Sequence, residues 1–592
     1  MISTRKKNKT LDVLPCHWRT RMAQADCVDI RSHVTAGTQW WVNRASGCDC
    51  AARFSWYLSP WPEYQRYLLW QSFLTCAELK DRAAEMETWD YHPLISILLP
   101  VYKVALPHLA ECLVSVEQQV YPHWELCLVE DGSGSEEIRN MLRAFSAKHP
   151  DRVRLVLRDR NLGIARTSQE ALEMATGEFV ALLDHDDRLA PEALEEMVHR
   201  LQFERDADWL YSDYDKISPD GERYHYYFKP DWSPDLLYSY CYVGHLSLLR
   251  RSLALSVGGF RTGFEGAQDF DLYLRMAERA QRVVHVSRIL YSWRQAPGST
   301  AGDLASKPYL YENLRRAMDD AIRRRGEPGT CAEITGFWAG LYRVNRSTVT
   351  PVCDVVDLSR SAIGTDTANP GGKCRVGRRF VLADGENCGA TLQRALTETT
   401  APCLVVVQGD RVFVSNAAMH DLAAHLSVPG VAGAAPKIVG SDGHVDHCGL
   451  ALVPGGKILF PLRGLGSGEA GYGAYGTVAR NVGAVSPLVV AFSVAAVREA
   501  GGFDPRMGAT GAVTAACLTL RTKGFRIVAD GGVTVELAGG LFCAEQAMAA
   551  GGEDFRRLVT AWPSLCCAGD PFYNRNLREE PADFGVRDGR DF

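Results

Sequence analysis

From position 93 onward, apolar residues are concentrated in short runs, separated by stretches in which they recur every three or four residues. Leu94–Leu99 is the first such run, and Leu126–Val129, Val153–Leu157 and Phe179–Leu183 follow it. Runs this short and apolar predict strands covered on both faces. Between them, Leu109, Cys112, Leu113 and Val116 recur at helical spacing, and the stretch from Ile164 to Ala175 reads as a helix. Pro191 stands where a first helical turn opens, and Leu194, Met197, Val198 and Leu201 form one face behind it. Strands alternating with helices predict βαβ units, hence an α/β fold with a mainly parallel sheet. Such sheets bind ligands at the carboxyl ends of their strands.

The texture changes near residue 350. The segment 351–592 holds 35 of the 53 glycines, whereas 12 of the 13 tryptophans precede it. The chain therefore reads as an irregular extension over 1–60, a helical lead-in over 61–90 carrying Tyr64, Tyr67, Leu68, Phe73 and Leu74, and an α/β domain over 91–302. A linking helix and connector cover 303–350, with Leu310, Leu314, Met318 and Ile322 at four-residue steps. A second α/β domain over 351–545 and a tail over 546–592 complete it.

Composition narrows the function classes. The 592 residues are 46% hydrophobic and 23% charged, with 65 Lys plus Arg against 71 Asp plus Glu. That balance suits a soluble globular protein, and its slight acidity argues against nucleic acid as the main partner. No run of 18 apolar residues occurs, and no apolar stretch follows the basic MISTRKKNKT opening, so neither a membrane span nor a secretory signal is expected. The 18 cysteines then read as reduced thiols of a cytoplasmic protein. Cys16, His17, Cys27, His33, Cys48 and Cys50 include no CxxC step, which disfavours a zinc site, and the vicinal Cys566-Cys567 read as buried thiols.

Polar motifs sit where the strands end. Pro100-Val101-Tyr102 closes the first and Glu130-Asp131-Gly132-Ser133 the second. There an aromatic ring can stack on a base and a carboxylate can accept a base N–H, although Asp-Gly-Ser is also a common turn former. Asn161-Leu162-Gly163 opens a helix, with Arg166 one turn in. Leu182-Leu183-Asp184-His185-Asp186-Asp187 places three carboxylates directly after a buried strand. They repel one another unless a cation sits among them, and a hard divalent ion bound through oxygen meets that need. Gly258-Gly259-Phe260 precedes Glu265-Gly266-Ala267-Gln268-Asp269-Phe270-Asp271-Leu272, where Asp269 is either a general base or a charge at a helix start.

In order, PVY, EDGS, NLG, LDHDD and the QD of EGAQDFDL resemble the family 2 glycosyltransferases, inverting enzymes of GT-A fold that use nucleotide sugars. The stretches Tyr211–Lys216, Phe228–Leu237, Tyr242–Leu246, His285–Arg294 and Gly298–Ala301 resemble the subgroup that builds bacterial O-antigen and related surface polysaccharides. The resemblance covers about 60–302. It implies that Pro100, Tyr102, Asp131, Asn161, Arg166, Asp184 and Arg294 bind a UDP- or dTDP-sugar. It also implies that Asp184 and Asp186 form the DxD motif holding Mg²⁺ or Mn²⁺, and that Asp269 is the catalytic base. A saccharide or lipid-linked acceptor follows, the latter drawing the protein to the inner face of the inner membrane. Two positions depart from the family pattern: Glu130 replaces an aspartate, and Ser292 replaces a histidine that in such enzymes can contact metal or diphosphate.

The second half echoes the first. Gly501-Gly502-Phe503 repeats Gly258-Gly259-Phe260, Leu520-Arg521 repeats Leu274-Arg275, and Gln408-Gly409-Asp410 stands for Asp184-His185-Asp186. Val513 and Ala515 occupy the acidic positions ahead of the last helix. The interval from Pro100 to Asn161 is halved between Asp357 and Asn387, which removes about one βα unit. A degenerate second GT-A-like module is expected. The alternative for the whole chain is an inactive, glycosyltransferase-like assembly or binding protein.

Overall fold

The computed structural model describes residues 63–65, 67–68, 76–218, 221–295, 308–346, 350–359, 373–542, 552–579 and 582–587. The cysteines and histidines of the first 50 residues and the Gly298–Ala301 motif lie outside them. The chain divides into two units. One comprises Met1–Lys229, Val243–Asn313 and Val586–Phe592, and the other Pro230–Tyr242 and Leu314–Gly585.

In the first unit, helix α1 (Cys76–Glu87) leads to strand β1 (Ile95–Val101), α2 (Leu106–Glu117), β2 (Trp124–Glu130), α3 (Glu136–Lys148), β3 (Val153–Leu157), α4 (Ile164–Met174) and β4 (Phe179–Leu182). Then come β5 (Arg188–Leu189), α5 (Ala193–Phe203), β6 (Trp209–Ile217) and β7 (Arg223–Tyr227). Helix α6 (Pro234–Leu237) belongs to the second unit, and the chain returns with β8 (Ser247–Arg250), α7 (Arg251–Ser256), α8 (Gln268–Ala277) and β9 (Val283–Arg294). The sheet order is β3-β2-β1-β4-β8-β6-β9-β5, with β7 beside β6. Its β3-β2-β1-β4 half is parallel as expected, whereas β8 runs antiparallel to both β4 and β6. Periodicity carries no direction: Ser247, Leu248 and Leu249 of β8 are as buried as residues of a parallel strand.

Both faces of β1, β2 and β4 are covered, which explains their apolar runs, whereas β3, at the edge of the sheet, is exposed at Arg154 and only partly buried from Leu155 to Leu157. Ile95, Ile97, Leu99 and Val101 of β1 share one core with Leu109, Cys112 and Val116 of α2, Ile138 and Leu142 of α3, and Leu194, Met197 and Leu201 of α5. Helix α4 packs against β1 and β2. Each such fully buried aliphatic side chain contributes about 1.5–3 kcal/mol, enough to hold the strand ends rigidly.

The linking helix α9 (Pro308–Arg324) leads to a β10 (Thr330–Glu333) and β11 (Tyr342–Asn345) hairpin. The second unit continues with β12 (Val352–Asp357), β13 (Arg375–Val381), α10 (Cys388–Glu398), β14 (Cys403–Val407), α11 (Asn416–His425), β15 (Val431–Gly440) and β16 (Val445–His447). A small β17 (Ala451–Leu452) and β18 (Ile458–Leu459) pair precedes β19 (Ala479–Asn481), β20 (Val489–Ser493), α12 (Val494–Glu499), α13 (Ala509–Thr522) and β21 (Arg526–Leu537). Helices α14 (Glu553–Ala561) and α15 (Pro563–Ala568) follow. The main sheet order is β13-β12-β14-β20-β15-β21-β19.

That order parallels β2-β1-β4-β8-β6-β9 of the first unit. Phe179 pairs with Arg250 as Cys403 pairs with Ser493, and Arg250 and Ser493 each precede a six-residue helix. The backbone N of Phe260 donates to Gln169 Oε1 at 2.8 Å, and that of Phe503 to Gln393 Oε1 at 2.8 Å. The glycine-rich approach is thus fitted to a glutamine of the same unit: a Cβ on Gly259 would lie 2.1 Å from Gln169 Oε1. Between β12 and β14 the described residues hold one strand and one helix, where the first unit has two strands and three helices.

Two sequence expectations need correction. Leu520-Arg521 is not the counterpart of Leu274-Arg275. Arg275 bonds Asp271 and the carbonyls of Val257 and Gly259, whereas Arg521 bonds the carbonyl of Gly483. Counting from Gly501 or from β21 places the Asp269 equivalent at Ala512 or Val513, the latter one of the two positions read from sequence, and α13 (ATGAVTAACLTLRT) carries no carboxylate. Cys567 is exposed, because α15 is a six-residue helix whose other described side chains also face solvent. Seven of the eleven cysteines whose side chains are described are buried, and none of the eleven forms a disulfide.

Candidate active site

The acidic turn is built by the end of β4. Leu183 still bonds β1 through its backbone N to the carbonyl of Leu98 at 3.2 Å, and the chain then turns through Asp184-His185-Asp186-Asp187 into β5. Strand β5 pairs with β9, Arg188 opposite Ser292 and Leu189 opposite Tyr291, which brings Tyr291 and Arg294 to the turn. Asp187 is fully buried and holds the turn from inside: it accepts from Tyr291 Oη at 2.5 Å and from the backbone N of Arg294 at 2.6 Å. Arg294 Nε donates to the carbonyl of Asp186 at 2.7 Å, and its Nη2 pairs with Glu111 at 2.5 Å. Arg294, expected to meet the donor, therefore braces the turn.

The carboxylates of Asp184 and Asp186 are left facing outward. Among the described residues Asp186 has no side-chain partner, and Asp184 Oδ2 meets only His245 Nε2, at 3.5 Å. Burial and then the charge of Asp186 push Asp184 up to about 6. Burial, followed by the same two neighbouring charges, raises Asp187 well above the carboxylate range. A rigid turn crowded with negative charge is one that a cation stabilises.

His245 and Asp269 complete the cluster. The His245 ring stacks on Tyr291 at 4.7 Å and 16°, and its Nδ1 is buried with no partner among the described residues. Burial holds it down at about 4, against the pull of Asp269, so it is neutral at pH 7. Asp269 lies in the first turn of α8, where its Oδ1 accepts from the backbone N of Phe270 at 2.8 Å. Burial raises its pKa, His245 lowers it, and the charge of Asp184 raises it further. The three groups thus lie within electrostatic reach of one another.

The neighbouring strand ends form a second cluster. Asp131 is buried and accepts from Arg158 at 2.9 Å, from the backbone N of Leu162 at 2.9 Å and from that of Gly163 at 3.0 Å. It pins the Asn161-Leu162-Gly163 turn, and Asn161 Oδ1 adds a bond to Gly163 N at 2.9 Å. Gly132 is required here: it sits at φ +64°, and a Cβ would lie 2.4 Å from the backbone of Arg160. Glu130 fills the departing position with bonds to Ser133 N and Arg139. Tyr102 is half-buried at the end of β1, Pro100 accepts from His185 Nδ1 through its carbonyl, and Asn161 and Arg166 are exposed.

Ser292 does not face the acidic turn. Its Oγ donates to Asp215 at 2.7 Å, and that buried carboxylate also accepts from Tyr64 Oη and Arg223 Nε. Besides His185 of the turn itself, whose Nδ1 meets the Pro100 carbonyl, a second imidazole is brought against Asp184 by His245, for which no role was read from sequence. A histidine directly before a short apolar strand was the available signal. Ser292→Ala removes one bond to a buried charge and is expected to cost about 1.5–3 kcal/mol of stability, seen as a lower urea midpoint, with nucleotide-sugar affinity unchanged.

No group of three or more His, Cys, Asp or Glu among the described residues is arranged to hold a metal ion. A permanently caged ion does not fit. Two outward carboxylates do fit an ion that takes one or two carboxylates and completes its shell with water and substrate phosphates.

Residues 96–258 match the family model described as Glycosyl transferase family 2. The chain is 32% identical over 545 residues to an uncharacterized protein of Sinorhizobium fredii, covering 83% of this chain and 58% of the relative. It is 29% identical over 529 residues to the O-antigen biosynthesis protein RfbC of Myxococcus xanthus, covering 84% of this chain and 41% of that protein. A putative teichuronic acid biosynthesis glycosyltransferase of Bacillus subtilis is 32% identical over 132 residues, which is 22% of this chain and 51% of that protein. The chain thus spans about half the length of the curated relatives it matches. A solved mannosyltransferase from Pyrobaculum calidifontis, in complex with GDP-Man and Mn²⁺, is 20% identical over 46% of this chain and 73% of that chain, with a TM-score of 0.31.

Proposed function

We propose that the domain over residues 96–258, which matches the family 2 glycosyltransferase model, is of the surface-polysaccharide type, as the similarity to RfbC and to the teichuronic acid enzyme supports, and that it transfers a sugar, with inversion, from a UDP- or dTDP-sugar to a hydroxyl of a saccharide or lipid-linked acceptor. The observation that carries the reading is the acidic turn: Asp187 and Arg294 hold it rigid, while Asp184 and Asp186 are left outward beside His245 and Asp269.

Asp184 and Asp186 would hold Mg²⁺ or Mn²⁺. Such an ion, when bound with the donor, supplies Lewis-acid stabilisation of the charge that develops on the leaving diphosphate. His245 lies against Asp184 and limits its rotation. Tyr102 and Asp131 stand at the strand ends where a base would stack and bond. Asp269 accepts the proton of the acceptor hydroxyl as that oxygen attacks the anomeric carbon from the side opposite the diphosphate. One displacement inverts the centre, and holding the two partners in line supplies much of the acceleration.

The second unit lacks this constellation. Counting from the matched strand pairs, Gln408 stands for Asp184, Arg411 for Asp187 and Leu488 for His245, and only Asp410 survives. We read it as a degenerate GT-A-like module, and Asp410→Ala is expected to leave transfer within about twofold of wild type, measured in the same assay. A large loss there would overturn this view.

A screen of purified nucleotide sugars with Mn²⁺, following nucleotide release and product anomeric configuration, tests the proposal. Turnover of at least one donor with an inverted product supports it. If no donor is turned over and Asp269→Ala changes nothing in cells, the chain is an inactive assembly protein. The same reading has a lipid-linked acceptor met at the cytoplasmic face of the inner membrane; among the described residues no helix is long and apolar enough to cross a membrane.

A further inference from the structure

We infer that Lys229, in the Phe228-Lys229-Pro230 stretch that the reaction above leaves without a role, is the positioning residue that aims His245 at the acidic turn. Lys229 is fully buried, and its Nζ donates to two backbone carbonyls, those of Val243 and of His245, the latter at 2.7 Å. The same Nζ lies 4.9 Å from the Tyr214 ring centroid. Its backbone N donates to Asp213 Oδ1 at 2.7 Å, and that buried carboxylate also bonds His285 Nε2 at 2.8 Å. An ammonium is kept away from water only where such acceptors surround it.

The placement of these bonds gives the lysine its role. Lys229 and Val243 are the residues at which the chain leaves the first unit and re-enters it. One ammonium holding the carbonyls of 243 and 245 therefore fixes the turn on which His245 rides. The imidazole has little else to orient it. Its Nδ1 has no partner among the described residues, so its aim comes from the stack on Tyr291, an edge contact with Trp293 and its own backbone. Lys229 sets that backbone, and with it the 3.5 Å approach of Nε2 to Asp184. Lys229 itself touches neither substrate nor reacting atoms.

The kinetic arm of the test rests on the transferase reading, and the chemical arm does not. Lys229→Met and Lys229→Arg are prepared in the full chain, with circular dichroism to confirm folding. Diethyl pyrocarbonate modification of His245 is followed by mass spectrometry, with His108 as an internal control. In Lys229→Met, His245 is expected to react several-fold faster, as its ring swings off Tyr291, while His108 is unchanged. Transfer kcat is expected to fall about 10- to 100-fold, as for residues that orient ligands from behind, with acceptor KM unchanged. Lys229→Arg, which can still donate to both carbonyls, is expected to restore the protection of His245 and most of kcat, and it decides the matter if the methionine variant does not fold. Unchanged His245 reactivity, or a kcat loss that arginine does not rescue, overturns the inference. A wild-type chain inactive on every donor overturns the transferase reading and leaves the modification result to decide the role of Lys229.

Discussion

Replacing Asp269 by alanine is expected to lower kcat about 10²- to 10⁴-fold, the range for losing a positioned general base, while donor affinity stays near wild type. The argument is positional: Asp269 sits at the start of α8 within electrostatic reach of His245 and Asp184, and it is the carboxylate of the cluster that lies outside the acidic turn. Its environment adds a pH signature. Burial raises its pKa above the ordinary 3.8, with His245 opposing. A base works only when deprotonated, so activity rises with pH as the proton leaves, and the acid limb of kcat/KM lies above that of an unperturbed aspartate. Asp269→Asn is expected to abolish that limb together with most of the rate. A pH profile identical in wild type and variant would remove Asp269 from the reaction.

The second large effect is expected at Asp186. Asp186→Ala should weaken nucleotide-sugar binding in Mn²⁺ at least about 100-fold, the upper end of losses seen when the surroundings of a metal site are disturbed, as measured by calorimetry. Stability should change by no more than about 0.5 kcal/mol. The two outcomes separate because the turn is held by the backbone carbonyl of Asp186, to which Arg294 Nε donates, and the carboxylate has no partner among the described residues. Asp187, one residue on, is the reverse case, with its carboxylate buried and bonded to Tyr291 and Arg294. Unchanged donor affinity in Asp186→Ala would count against the metal assignment.

Adjacent aspartates thus divide into ligand candidates and scaffold, and sequence could not separate them. Three carboxylates after a buried strand announced a charged turn. Which of them faced outward depended on β9, more than 100 residues away, delivering Tyr291 and Arg294 from the far edge of the sheet. Arg294 was legible as a residue near phosphate-binding groups, but its role in bracing the turn was not, because Glu111 on α2 is its partner. Ser292 looked like a lost histidine until β6 placed Asp215 against it and Lys229 carried His245 to the turn.

The chain by itself determined the alternation of strand and helix in the first unit, the placement of polar motifs at strand ends and the loss of acidic residues from the second. These are local properties, set by periodicity and by which side chains exist to carry charge. Only the tertiary structure decided strand direction beyond β4, the division of labour among Asp184, Asp186 and Asp187, and the arrival of His245. Each of these depends on contacts between segments far apart in sequence, where burial and hydrogen bonding fix which atoms of a residue remain exposed for chemistry.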